Sequence, residues 1–170
     1  QYVGSGGSGC SSTQWTCTAV DANTGATGFS SMAFSTTGRP YVSYYDVTNT
    51  ALRMAQYVGS GGSGCSISSA WTCTTVDNSA ADGQYSSIAF DAQGHPWISY
   101  HESGNGDLRI AEYVTSGGSC TSSAWNCSSI NSTNTVGTYS SLAFDHSGNP
   151  AVAYYDTTNL DMRIAKRHIN

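Results

Sequence analysis

Hydrophobic and polar side chains alternate with a period of two along short stretches of this chain. In Ser86-Ser87-Ile88-Ala89-Phe90, Ser86, Ile88 and Phe90 fall on one face of a strand, and Ser87 and Ala89 on the other. One face is bulky and the other small, so both suit burial, with the bulky face of one sheet filling space against the small face of the next. Asp91-Ala92-Gln93-Gly94 then reads as a tight turn. Pro96 opens a second strand, where its missing N–H is tolerated, and Trp97 to His101 alternates again. Glu102 to Gly106 is another turn, and Asp107 to Val114 a third strand. A segment that begins at a Trp and carries a Cys supplies a fourth, at Trp15 to Val20, Trp71 to Val76 and Trp125 to Ile130.

The same wording returns along the chain. SSIAFDAQGHPWISYHESGNGDLRIA at 86–111 is matched by SSMAFSTTGRPYVSYYDVTNTALRMA at 30–55 and by SSLAFDHSGNPAVAYYDTTNLDMRIA at 140–165. Three units are read, 1–55, 56–111 and 112–165, with a tail at 166–170, in a single domain. Four short antiparallel strands in roughly 50 residues is the pattern of a β-propeller blade. The expected fold is all-β: three four-stranded repeats of about 55 residues, completed by self-association, since propellers close with about 4 to 8 blades. Two copies would give a six-bladed ring, and a head-to-tail contact that does not close would give a filament. The segments 21–29, 77–85 and 131–139 read as turn-rich loops that vary among the units, where binding often sits.

Composition narrows the classes. Only 10% of the 170 residues are charged, and Ser, Thr, Gly and Asn supply the polar surface. A net charge of −5 with six Lys and Arg excludes the basic face that nucleic acid requires. No apolar run approaches the roughly 20 residues of a membrane span. A mature secreted chain starting at Gln1 would account for the absence of an initiator Met and a signal peptide, as would a truncated sequence. The six cysteines fall in local pairs, Cys10 with Cys17, Cys65 with Cys73 and Cys120 with Cys127, whose first members lie 55 residues apart. An even count at repeated spacing reads as disulfides and a secreted, extracellular or cell-surface location. A structural zinc site would need four clustered ligands, and each pair has no nearby His or second pair.

The unit Ser-Ser-φ-Ala-Phe-Asp-x-x-Gly-x-Pro-x-φ-Ser/Ala-Tyr-Tyr-Asp-x-x-Asn-x-x-Leu-Arg-Ile-Ala (φ apolar) resembles blades of secreted bacterial β-propeller repeat proteins, of the NHL-like type. The resemblance spans all three units and implies fold rather than function. The Ser-x-Asp-x-Gly-x-Thr order of sialidase-type propellers is absent.

Candidate chemistry is sparse. Asp46, Glu102 and Asp156 recur at one position, with Asn49, Asn105 and Asn159 three residues on. They can bind sugar hydroxyls or a calcium ion, or cap their own turns. Tyr41 and Trp97 share a position where the third unit has Ala151, and Phe29, Tyr85 and Tyr139 precede the first strand of each unit. Such aromatics stack on sugars or fill gaps between sheets. Arg53, Arg109 and Arg163 recur on the third strand, which points to structural pairing with a carboxylate of the same unit. His101 beside Glu102 is the nearest thing to an asymmetric catalytic pair, but no nucleophile elbow, phosphate loop or metal motif accompanies it. No catalytic residue, metal or cofactor is therefore assigned.

The expectation is a non-enzymatic, extracellular, self-assembling β-propeller protein with a scaffold or adhesion role. Copies of the chain are its expected partners, with glycans bound multivalently in the manner of a lectin. The alternatives are a subunit of a surface filament built by strand exchange, and a fragment of a larger propeller enzyme acting on glycans.

Overall fold

The computed structural model describes residue 4 and residues 6–22 and 29–167. Eleven strands run in chain order: β1 (Ser30–Phe34), β2 (Pro40–Asp46), β3 (Ala51–Tyr57), β4 (Trp71–Asp77), β5 (Asp82–Phe90), β6 (Pro96–Glu102), β7 (Asp107–Tyr113), β8 (Trp125–Asn131), β9 (Val136–Phe144), β10 (Pro150–Asp156) and β11 (Asp161–Lys166). They form three antiparallel sheets in the orders β1-β2-β3-β4, β5-β6-β7-β8 and β9-β10-β11. Among the described residues there is no helix, and so none long and apolar enough to cross a membrane.

Each sheet is a meander of adjacent strands, as the short turns require. Asp91 shows how a turn is fixed. Its Oδ1 accepts from the backbone N–H groups of Gln93 and His95, and its C=O accepts from Gly94 N–H. Gly94 sits at φ +85°, in the left-handed region that L side chains avoid. The β6–β7 pairing brings Trp97 opposite Glu112 and His101 opposite Leu108, and the equivalent β2–β3 and β10–β11 pairs keep the same register.

The sheets lie face to face, with β5–β8 in the middle. One core, between the first and second sheets, joins Leu52, Met54 and Val76 to Ile88, Ile98, Tyr100 and Trp125. A second, between the second and third, joins Trp97, Leu108 and Ile110 to Val136, Leu142, Val152 and Tyr154. The bulky-on-small arrangement is realised. Ile88 and Phe90 face the first sheet, where Ser31 Oγ accepts from Ile88 N–H at 3.2 Å. In the next seam Ser87 Oγ accepts from Leu142 N–H at 3.0 Å. Hydroxyl pairs Ser43–Ser86 (3.0 Å) and Ser99–Ser140 (2.9 Å) cross the same two seams.

Two local expectations are corrected. The second halves of the supposed loops 77–85 and 131–139 are strand: β5 starts at Asp82 and β9 at Val136. Glycine makes this possible. A Cβ on Gly83 would lie 2.7 Å from Leu52 Cα, and one on Gly137 2.8 Å from Leu108 Cα, so only glycine lets these backbones approach the neighbouring sheet. Irregular pairing follows each glycine, and Tyr85 and Tyr139 adopt φ +52° and +53° there. The segment from Trp15 to Val20 does not form a named strand; it carries one isolated bridge, Gly9 to Thr16. Its counterparts β4 and β8 pair with β3 and β7.

Candidate functional site

The fourth strand of each four-stranded sheet ends in a residue that staples the next sheet. Asp77 closes β4, and its Oδ2 accepts from the Tyr100 hydroxyl at 3.0 Å and lies 3.4 Å from Arg109 Nη1, both in the second sheet. Its Oδ1 accepts from Thr121 N–H and Oγ1–H in the loop that leads to β8. Asp21 repeats the arrangement one unit earlier: Tyr44 hydroxyl at 2.8 Å, Arg53 Nη1 at 2.9 Å and Ser66 N–H at 3.1 Å. Asn131 takes the same place after β8 and donates to the Tyr154 hydroxyl at 3.1 Å.

The electrostatics follow from these contacts. Burial alone would raise the Asp21 carboxyl, but hydrogen bonds from Ser66 and Tyr44 and the charge of Arg53 hold it below the usual carboxylate range. Asp82 differs. Burial, with the Asp77 charge beside it, pushes its carboxyl up, and Arg109 at 3.5 Å does not offset that. The recurrent arginines thus pair partly within their own sheet (Asp46, Asp82, Asp156, Asp161) and partly with the preceding segment (Asp21, Asp77).

The residues named from sequence fall into three groups. Asp46, Glu102 and Asp156 are buried and close their own turns: each accepts from the backbone and side-chain N–H groups of Asn49, Asn105 or Asn159, at 2.8–3.0 Å. Trp97 and Tyr41 lie in the seams, edge-on to Phe144 and Phe90, and Trp97 Nε1 donates to Asp91. Phe29, Tyr85 and Tyr139 are brought together in a column, with ring centroids 4.2 Å and 4.6 Å apart, and Tyr139 ends it as an exposed ring. His101 is buried with Nδ1 2.7 Å from the Val136 carbonyl, so its ring tethers the second sheet to the third.

All three cysteine pairs are disulfides. They fit an oxidising, extracellular environment. Asp77, Cys120 and Cys127 lie close enough to suggest metal ligands, but both sulfurs are committed to one disulfide and offer no thiolate.

The most distinctive geometry is at the two ends of the stack. Leu52 and Leu108 are 0% exposed, whereas Met162, their counterpart in the third sheet, is 70% exposed. Ile88 and Leu142 are 5% and 7% exposed, whereas Met32, their counterpart in the first sheet, is 58% exposed. Phe34 beside Met32 and Ile164 beside Met162 are exposed as well. Next to the bare face of β11, a cleft of about 450 Å³ opens between the second and third sheets, lined by Trp97, Asn126, Ile130, Val152, Lys166 and Arg167 among others.

The sequence reading did not reach the aspartate staples or the serine pairs across the seams. Their signals were present: Asp21, Asp77 and Asn131 stand at one repeat position, and Ser-Ser opens each unit. Neither a scan against protein-family models nor a search of curated proteins finds a match for this chain.

Proposed function

We propose that this chain is a non-enzymatic, extracellular β-propeller-repeat scaffold whose work is to assemble, with copies of itself as the partner. The observation that carries the reading is that repeat positions sealed inside the stack are bare at both of its ends. The bare faces are complementary in kind. Met32 and Phe34 belong to the face that fills space in each internal seam, and Met162 and Ile164 to the face that receives it. Contact of one copy's first sheet with another's third repeats an interface the molecule already makes twice. Exposed apolar surface of this kind marks an interaction site. Further repeats in a longer polypeptide would occupy the same surfaces, and the 170-residue chain tests which arrangement its own faces favour.

Light scattering with negative-stain imaging checks the reading. A discrete dimer or trimer supports closed rings, long fibres support a surface filament, and a monomer at all concentrations overturns assembly. Met32→Glu should leave the fold intact and lower the association constant at least tenfold, because a carboxylate would be buried against an apolar face.

Carbohydrate binding is a second reading, favoured by the aromatic column ending in exposed Tyr139. An exposed ring face of this kind suits stacking on a sugar. Glycan-array binding lost in Tyr139→Ala would support it; an array without signal would sink it.

A further inference from the structure

Tyr85 and Tyr139 hold one repeat position, the fourth residue of β5 and of β9. Both lie in the left-handed region, at φ +52° and +53°, where a bulky side chain is rarely found. Strain of this kind persists only where the surroundings fix it, and it gathers at functional sites. Here the surroundings are explicit. Two residues earlier, Gly83 and Gly137 press against Leu52 and Leu108 of the preceding sheet. Beside Tyr139, the Ser140 hydroxyl donates to the Tyr85 carbonyl at 2.8 Å. The two backbones are thereby locked side by side, and their rings lie 4.6 Å apart between centroids, tilted by 55°. At that separation ring carbons are in van der Waals contact. Burial first, and then the neighbouring Tyr139 hydroxyl, pushes the Tyr85 phenol up, so it keeps its proton at neutral pH.

The pair is singular. The chain has eleven tyrosines, and among the described residues no other two stack ring on ring. On the far side of Tyr85, 4.2 Å away, the column continues with Phe29, which has no hydroxyl. No described cysteine is free, so no thiol competes for a one-electron oxidant. Each disulfide joins residues seven or eight apart within one hairpin, and none ties one sheet to the next.

We propose that Tyr85 and Tyr139 form an oxidative cross-linking site, at which a peroxide acting through a peroxidase joins the two rings as a dityrosine and bonds the second sheet to the third. Each phenol gives up one electron and its hydroxyl proton. The two phenoxyl radicals join ortho carbon to ortho carbon, and the ring hydrogens at the new bond move to the oxygens. The two electrons and two protons released reduce one hydrogen peroxide to two waters. The chain loses two hydrogens and gains no atom. Tyr139, 71% exposed, is where the oxidant enters. Its radical takes a hydrogen atom from the Tyr85 hydroxyl, and a second oxidation of Tyr139 completes the radical pair. Because the partners are held in place, coupling is unimolecular and its yield does not depend on chain concentration. The site needs one copy and no ligand, so it stands apart from both assembly and sugar binding.

The test treats the full chain with hydrogen peroxide and a haem peroxidase. A ruthenium photo-oxidant with persulfate runs in parallel, in case the enzyme is too large to approach Tyr139. The expected product is an 85–139 link, mapped by peptide mass as the loss of two hydrogens and seen by dityrosine fluorescence. Its yield per chain should not change on tenfold dilution. Oxidation of the exposed Met32 and Met162 adds oxygen and is told apart by mass. Tyr139→Phe and Tyr85→Phe keep the rings and should each lower the fluorescence at least tenfold. Phe29→Tyr supplies a phenol on the other side of Tyr85 and should bring a 29–85 link. The linked chain should unfold at a higher urea concentration than the untreated chain, a shift that a mark on one exposed ring would not give. Absence of the 85–139 link with both oxidants, while free tyrosine in the same tube couples, overturns the proposal. So do links that centre on the exposed Tyr57 and fade on dilution, since these would place coupling between chains.

Discussion

Leu108 and Met162 occupy one place in successive units of the same repeat, yet the first is sealed and the second stands in solvent. The same holds for Leu142 and Met32 on the opposite face. The residues differ little in apolar character, so the difference lies in what stands opposite. In the inner seams Leu108 has Gly137 pressed on its backbone, and Leu142 has Ser87 receiving its N–H. The end faces carry the same vocabulary with no sheet to meet it among the described residues. Repeat proteins are stabilised by such nearest-neighbour interfaces, and an uncapped terminal unit retains a face that lacks one. The end faces are also not perfect copies. Ala151 stands where Tyr41 and Trp97 meet phenylalanines, and Ala153 where Ser43 and Ser99 make hydroxyl pairs. The outward face of the third sheet is therefore shallower, and a partner seated on it gains less than an inner neighbour does.

The largest test of this contrast is truncation on the two sides. Leu108→Ala should cost about 2–5 kcal/mol in urea unfolding, from lost burial and a cavity in a filled seam. Met162→Ala, measured where the chain is monomeric, should change stability by less than about 0.5 kcal/mol. Equal losses would mean that the third sheet's outer face is already covered.

Glycine substitution separates crowding from backbone strain. Gly137→Ala puts a methyl against Leu108 at φ +93° and should cost about 2–3 kcal/mol. Gly148→Ala has φ +81° but nothing within 4 Å of the added carbon, so strain alone should cost about 1–2 kcal/mol. Thermal melts of the two variants give the difference directly.

Acid dependence distinguishes the two staples. The Asp21 carboxyl is lowered in the folded state, so its contribution is present above the usual carboxylate range and is lost as pH falls through its depressed value. Asp21→Asn should cost about 1.5–3 kcal/mol at neutral pH and flatten that acid limb. The Asp82 carboxyl is raised, so its charged form weighs against folding at neutral pH and the burden lifts as pH falls. Asp82→Asn should therefore raise neutral-pH stability by less than about 1 kcal/mol. Denaturant titrations at pH 3, 5 and 7 would reveal opposite slopes; matching slopes would contradict the assignment.

The smallest effect concerns the imperfect copy itself. Ala153→Ser restores the hydroxyl that Ser43 and Ser99 offer across the inner seams. It should tighten association by about 0.5–1.5 kcal/mol, read from the dilution at which the oligomer dissociates. No tightening would mean that Ser30 of the partner does not reach this position.

Much of this was legible in the amino-acid order. Period-two alternation fixed the strands from Pro40 to Tyr57 and from Pro96 to Tyr113, because a strand with one bulky and one small face needs no distant information to be recognised. Repetition of Ser-Ser-φ-Ala-Phe implied like sheets packed bulky face on small face. The cysteine spacing implied the three local disulfides, since residues seven or eight apart on a hairpin can reach each other. The loops were misjudged where a single glycine, Gly83 or Gly137, carries the strand past another sheet's leucine, a fact that belongs to the neighbour and not to the segment.

The rest was decided by tertiary structure. Asp21 and Asp77 read as ordinary loop openings until the folded chain sets each beside a tyrosine and an arginine that lie 23 and 32 residues onward. Trp15 to Val20 has the composition of β4 and β8, yet among the described residues it carries one isolated bridge and no named strand. Sequence by itself determines which faces are apolar, at what period, and which cysteines are neighbours. Whether an apolar face becomes core or surface depends on what folds against it, since burial is a relation between two surfaces and only one of them is written in any given segment.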